Sequence, residues 1–390
     1  MPQIKAESSK IFLIFLHIGF FLSGIATVLI GQVLPILSTR FSLNDQQIAY
    51  LFPAQFAGSL AGTFLTNWFG KRDNFLFATL LGCLSMAFGI LLINASSFEL
   101  CLAGFALNGV GIGLTLPSIN MLILEMKPEN PASALNVLNV FWGIGAILSQ
   151  PFVDILSKKT SLILPTALLA SALGFIGILM ALLPRENVVK TTTNDGIIED
   201  TEIPIWTNPI AWGIALFNFI HVGFESGMGG WLKTYTQRFE DGANSFIQPV
   251  LLFYVFFVFG RVIATFLSRF LNENKMLILG LSIIFIGLIL MLLAQDVFML
   301  SVGGVFAGLG TSSIFPTNLS RFTKTFGETA TRRATPFFVC GTLGATFTTW
   351  LIGYISNYYN DLRKGMLVLL ISVIILIFLQ LVLSRQKRVV

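Results

Sequence analysis

Apolar residues run along this chain in blocks of about twenty, separated by short polar breaks, and within each block hydrophobicity is continuous rather than alternating. A bilayer core about 30 Å thick takes about twenty helical residues, so each block predicts a membrane-spanning helix. Twelve spans are predicted. Six lie at 11–37, 46–68, 75–95, 99–124, 134–155 and 161–183, and six at 210–235, 247–268, 275–294, 298–320, 334–357 and 364–383. Transmembrane β-strands alternate over about ten residues, so a β-barrel is excluded. The first run is too long for a cleaved signal and reads as a retained span.

One break differs from the rest. Residues 184–209 carry Glu186, Asp195, Glu199, Asp200 and Glu202 around Thr191-Thr192-Thr193-Asn194-Asp195-Gly196. That composition predicts a polar linker. The chain then divides into an N-terminal six-span half (1–183), a linker (184–209) and a C-terminal six-span half (210–390). The predicted class is an all-α polytopic membrane protein of two pseudo-symmetric halves. Span four carries Gly109, Gly111 and Gly113 before Pro117 and Asn120, and span ten carries Gly308 and Gly310 before Pro316 and Asn318. Broken, glycine-rich helices at matching places point to a transporter's central site. The alternative is close helix packing through small residues.

Composition sharpens this picture. Charged residues make up 11% of the chain, hydrophobic residues 55%, and mean hydropathy is +0.81. Soluble domains carry about 25% charged residues, so a soluble protein is excluded. The 24 Lys and Arg divide unevenly. With the N-terminus in the cytoplasm, sixteen fall on the cytoplasmic side and seven outside, and Arg261 lies within a span. The positive-inside rule therefore predicts both termini in the cytoplasm. The basic residues are spread over short loops, with no nucleic-acid signature. Cys83, Cys101 and Cys340 lie in apolar segments and read as packed thiols. Only two histidines occur, and no metal-ligand cluster, catalytic triad or phosphate-binding loop stands out. An enzyme and an ATP-driven pump are therefore not expected, and no cofactor is.

The chemistry concentrates in span seven. Glu225 sits mid-span, where a carboxylate costs about 3 kcal/mol or more on insertion scales. Such a residue faces a cavity or a partner and marks a substrate or ion path. Asn218, His221 and Glu225 recur at i, i+3 and i+7, on one helix face. The alternative is a structural network between helices. Histidine as a residue type titrates near neutral pH, so His221 is a candidate ion-coupling residue beside Glu225. Arg261 is read as a gating or structural residue that snorkels or pairs with a carboxylate. Trp68, Trp206 and Trp212 lie near predicted interfaces and read as aromatic-belt anchors.

Several stretches resemble the major facilitator superfamily. Leu65-Thr66-Asn67-Trp68-Phe69-Gly70-Lys71-Arg72 is similar to its loop signature, in which an acid, a glycine and paired basic residues close the cytoplasmic side. Here Asn67 replaces the aspartate, and Thr63 stands at the first glycine with Gly62 one place early, so the charge-pair role is weakened. The resemblance implies gating roles for Asn67, Lys71, Arg72, Arg261 and Arg269. Other stretches resemble the fucose/galactose/glucose symporter branch. They are Phe20 to Ala26 with Pro35; Leu135-Asn136 through Ala146; His221 to Glu225 with Gly230-Trp231-Leu232; Gly260-Arg261 with Leu267 to Phe270; and Ser313 to Thr317. The branch implies sugar transport by alternating access. Two acidic positions tied to proton coupling in fucose permease align with Gly31 and Leu116, which cannot titrate. Glu225 matches a glutamate of the sodium-glucose members, so Na⁺ and H⁺ both stand as candidate coupling ions.

A sugar needs amides, hydroxyls, a carboxylate and an aromatic face. The mid-span residues Gln32, Gln55, Asn108, Asn120, Asn136, Asn139, Asn218, His221, Glu225, Thr317 and Asn318 supply the polar groups. Trp142, Tyr254 and Trp350 supply ring faces or polar handles. The expectation is a secondary active transporter of a small polar solute, a monosaccharide first, acting as a monomer in a bacterial inner membrane. A drug or metabolite exporter of the same fold is the alternative.

Overall fold

The computed structural model describes residues 2–126, 131–157, 161–182, 205–240, 242, 248–326 and 333–385. Its fourteen helices are α1 (Pro2–Phe41), α2 (Asp45–Ile48), α3 (Leu51–Gly70), α4 (Phe75–Leu92), α5 (Phe98–Met126), α6 (Pro131–Leu156) and α7 (Ile163–Leu182), then α8 (Pro209–Thr236), α9 (Pro249–Leu267), α10 (Glu273–Leu293), α11 (Val297–Thr311), α12 (Ile314–Phe326), α13 (Thr335–Tyr359) and α14 (Leu362–Arg385). Among the described residues there is no strand. Spans two and ten are each split, into α2 with α3 and α11 with α12. Pro53 and Pro316 sit in the first turns of α3 and α12, where a missing N–H costs no helical bond.

Eleven spans among the described residues are long and apolar enough to cross a bilayer. The twelfth predicted span, α8, has the length at 28 residues, but its polar side chains dilute its hydropathy. The predicted linker lies outside the described residues over 183–204; its last turn, Ile205–Thr207, is a short 3-10 helix.

Helix starts follow from side chains that satisfy orphan amides. Asn44 and Gln47 form a capping box on α2. Asn208 caps α8 with Pro209 at its first position, Asn272 caps α10 and Asp296 caps α11.

The glycines of spans four and ten form seams inside each half. In the N-terminal half a Cβ on Gly82 or Gly89 of α4 would strike α5 beside Gly111 or Gly104. In the C-terminal half Gly280 and Gly287 of α10 meet Gly310 and Gly303 of α11 in the same way. Each half thus repeats one seam, with glycines seven residues apart. These glycines pack helices rather than line a central cavity.

The two halves meet along α1 with α8, α3 with α13 and α6 with α9. Gly31 of α1 lies against the Gly229 carbonyl of α8. The Phe52 ring of α3 lies 5.9 Å from Trp231 of α8, whose Nε1 donates to the Thr349 carbonyl at 2.9 Å. Polar ties between the halves gather at the end that carries the α1–α2, α6–α7, α8–α9 and α13–α14 connections. Lys233 pairs with Asp154 at 2.5 Å, and Arg238 with Asp45 at 2.8 Å. Ser356 donates to Asp45 at 2.5 Å, Asn357 to Gln46 at 3.2 Å and Gln150 to Gln248 at 3.0 Å.

Candidate functional site

The polar face of α8 divides by partner. Asn218 is buried and donates to the Phe337 carbonyl at 2.9 Å, holding α13. His221 is buried with Nε2 at 2.9 Å from Thr311 Oγ1 of α11, and its other ring nitrogen has no partner. Both therefore bond within the C-terminal half, and His221 makes no hydrogen bond to Glu225. Glu225, one turn on, is half-buried and makes no hydrogen bond or ion pair among the described residues.

The charge facing Glu225 comes from α9. The carboxylate of Glu225 interacts electrostatically with the Arg261 guanidinium and with Tyr254. Arg261 lies over the Phe257 ring at 4.4 Å, and its Nε is buried without an acceptor. Tyr254, Phe257 and Arg261 recur at i, i+3 and i+7, so one face of α9 presents all three to the interior. The Tyr254 hydroxyl rests against Gly229, one turn beyond Glu225 on α8. Arg261 is thus an interior counter-charge rather than a snorkelling surface residue. The two opposite charges reduce the penalty that either alone would carry inside a membrane protein.

Two further groups, on α1 and α6, which both contact the C-terminal half, keep unspent hydrogen-bonding capacity. Gln32 of α1 is fully buried, and neither its amide oxygen nor its nitrogen has a partner. Its chain neighbour Gly31 lies against the Gly229 carbonyl of α8. Trp142 of α6 is half-buried, and its Nε1 has no acceptor. The next residue, Gly143, packs on Val258 of α9, three positions before Arg261. A buried polar group left unpaired costs about 1–3 kcal/mol, so a folded protein keeps one where a ligand or water supplies the partner.

The other sequence-predicted site residues are placed as follows. Gln55 donates to the Thr27 carbonyl at 3.1 Å, and Asn108 donates to Gln55 at 3.3 Å and to the Ala26 carbonyl at 3.2 Å. They clamp α1, α3 and α5 within the N-terminal half. Asn318 donates to the Ile214 carbonyl at 3.2 Å, and Thr317 to the Ser313 carbonyl of its own helix at 2.6 Å. Asn120 is half-buried with its amide oxygen unpaired. Asn136 and Asn139 are exposed, and Asn139 donates back to Leu135 at 2.9 Å. Trp350 stacks on Tyr354 at 5.4 Å.

At the end opposite the polar ties, Asn67, Lys71, Arg72 and Arg269 are exposed, and Arg72 covers the Trp68 ring at 3.7 Å. Trp206 is more than a belt anchor. Its Nε1 donates to the Arg333 carbonyl at 2.9 Å, and its ring stacks on Phe322 at 5.6 Å.

The sequence reading did not single out Asp45, Lys233, Arg238 or Ser356. A local signal existed for Asp45, which follows the Asn44 cap, and for Lys233, a lone cation near the end of span seven. Their partners lie far along the chain, so the pairing had no local signal.

Residues 16–335 match the family model described as Major Facilitator Superfamily. The chain belongs to that superfamily and is a multi-pass membrane transporter of a small molecule, not an enzyme. It is 24% identical over 352 residues to the glucose/mannose transporter GlcP of Bacillus subtilis (strain 168), covering 87% of this chain and 86% of that one. It is similar in fold to FucP, a Major Facilitator Superfamily transporter in the outward conformation, with TM-score 0.64, 19% identity, and coverage of 97% of this chain and 100% of that one. A bacterial homolog of the human lysosomal transporter Spinster, inward-facing and unoccupied, gives TM-score 0.79, 16% identity and 97% coverage of both chains.

Proposed function

We propose that this protein is a monosaccharide transporter that works by alternating access, with Glu225 as the residue that couples uptake to a cation, Na⁺ or H⁺. The observation that carries the reading is the set of unspent polar groups on α1, α6, α8 and α9, the helices along which the halves meet. Among the described residues the Gln32 amide and Trp142 Nε1 have no partner, and Glu225 and Arg261 interact electrostatically without a direct ion pair. A hydroxyl-rich ring fits such a set: amide and carboxylate take its hydroxyls, and an indole takes its C–H face. The glucose/mannose relative supports the same substrate class.

A cation at Glu225 would compete with Arg261 for the carboxylate. It biases the carrier only through different affinity for its two states. The six-helix halves, 1–183 and 210–390, rock about the α1–α8 crossing. The uneven distribution of Lys and Arg supports both termini in the cytoplasm of a bacterial inner membrane, which makes the tied end the outer one. We propose a monomer, since each chain carries both halves of the site.

Uptake of a labelled sugar panel into proteoliposomes, under imposed Na⁺ or proton gradients, tests this. Accumulation of one sugar under one gradient is the expected outcome and names the ion. If no sugar moves under either gradient, the sugar reading is wrong and the exporter reading takes its place.

A further inference from the structure

A cavity of about 180 Å³ opens in the C-terminal half where α8 and α10 begin and α12 and α14 end. Arg321 of α12 lines it and is 8% exposed. Its Nη2 donates to Gln380 of α14 and to Asn274 of α10. Its Nη1 is buried and donates to nothing. The one carboxylate among the described lining residues, Glu273, is already engaged: it accepts from Ser320 at 2.7 Å and from Lys324 at 2.8 Å. Arg321 therefore keeps a donor without an acceptor inside the protein.

Two more features belong to the same lining. Asn272 caps α10 through the Lys275 amide, which leaves the amides of Glu273 and Asn274 without acceptors in the helix. The positive end of a 21-residue helix thus faces the cavity. Arg321 and Lys324 against Glu273 leave one net positive charge. The remaining wall is mixed, with Ile210, Ile214 and Leu383 beside the hydroxyls of Thr325 and Ser384.

We propose that this cavity binds a phosphate-type oxyanion, with Arg321 as its central donor and the α10 N-terminus and Lys324 as its second and third contacts. A guanidinium and helix amides together suit phosphate oxygens, and one surplus positive charge suits a singly charged phosphate ester. Its source is either the phosphodiester of a membrane lipid or a soluble phosphate. The bound group joins α10, α12 and α14 at one end of the half. None of these residues belongs to the sugar site proposed above, so the two readings stand or fall separately.

The test uses full-length purified protein, delipidated in nonionic detergent. Inorganic phosphate is titrated by calorimetry, and phosphatidylglycerol and phosphatidylcholine are bound and counted by native mass spectrometry. Lys324 is 60% exposed at its side chain, so Lys324→Gln leaves the fold intact and removes the surplus charge. Glu273→Gln keeps the side-chain shape and adds a positive charge. One-to-one binding is expected. It should weaken about threefold to fivefold in Lys324→Gln and tighten by a similar factor in Glu273→Gln. Phosphate binding that follows this pattern identifies a soluble ligand, and lipid binding that follows it without phosphate binding identifies a headgroup. Binding in neither arm, or binding that does not move in these directions, overturns the proposal.

Discussion

The Asp154 carboxylate of α6 receives the Lys233 ammonium of α8 at 2.5 Å, across the boundary between the halves. Lys233 is 5% exposed at its side chain and Asp154 is 40% exposed. The cation is thus buried, and its one partner among the described residues is half in solvent. Removing the partner strands the buried charge, whereas removing the cation leaves a carboxylate that water can reach. Asp154→Asn should therefore disfavour the state in which this end is closed, by about 1–2 kcal/mol after screening of the exposed carboxylate. Spin labels on α6 and α8 at this end, read by pulsed dipolar spectroscopy, should show the longer-distance population rise by about fivefold to thirtyfold. An unchanged distance distribution would remove the pair from the gating equilibrium.

Asp45 is the second tie at this end, accepting from Arg238 at 2.8 Å and from Ser356 at 2.5 Å. Arg238 is 54% exposed, so its pair contributes little, about 0–1 kcal/mol. The Ser356 bond, between partly buried groups, carries more of the tie. Ser356→Ala should thus open this end more than Arg238→Gln does, measured by the same labels. Asp45 and Asp154 share no partner, so their substitutions should add.

Glu225 and Arg261 interact electrostatically inside the protein, with no direct ion pair among the described residues. Glu225→Gln should abolish concentrative uptake and leave Arg261 without a counter-charge, which lowers thermal stability. The double variant Glu225→Gln with Arg261→Gln should regain stability and remain unable to accumulate substrate. Stability by thermal melting and accumulation in proteoliposomes together check this. Normal accumulation by Glu225→Gln would sink the coupling role.

Much of this architecture was legible in the sequence, and the reasons are physical. A bilayer forces helices of known length, so the apolar blocks gave their bounds to within a few residues. Glu225 was legible because a carboxylate inside an apolar run is costly wherever it points. Its counter-charge was not, because Arg261 lies on the next helix and nothing local sets the facing angle. Asn218, His221 and Glu225 do share a helix face, as their spacing requires. Spacing could not tell that Asn218 and His221 would each commit one nitrogen, to Phe337 and Thr311, 119 and 90 residues away. The glycine echo between spans four and ten was visible, but its use in packing appears only when Gly111 and Gly310 meet Gly82 and Gly280.

Trp142 tests the aromatic part of the site. Its Nε1 has no protein acceptor and its ring is half-buried. Trp142→Ala should weaken sugar affinity about tenfold, in line with the roughly 1–2 kcal/mol that a stacking ring and one hydrogen bond supply. Trp142→Phe keeps the face and loses the donor, so it should recover part of that affinity. Calorimetry on both variants separates the contributions, and unchanged binding in Trp142→Ala places the ring in packing.

Gln32 separates ligand binding from structure most sharply, because the two roles move stability in opposite directions. If the buried amide served the fold, Gln32→Met would lose hydrogen bonds and destabilise the protein. Among the described residues that amide has no partner on either atom, so the fold itself gains no bond from it. Methionine has nearly the same shape and no amide to leave unpaired. Gln32→Met should therefore raise the melting temperature of the substrate-free protein by a few degrees, the response to about 1 kcal/mol, and lower sugar affinity about tenfold. The stabilising effect of saturating sugar should shrink in the variant, since ligand stabilises only in proportion to its binding. A fall in substrate-free stability would assign Gln32 to the fold and remove it from the site.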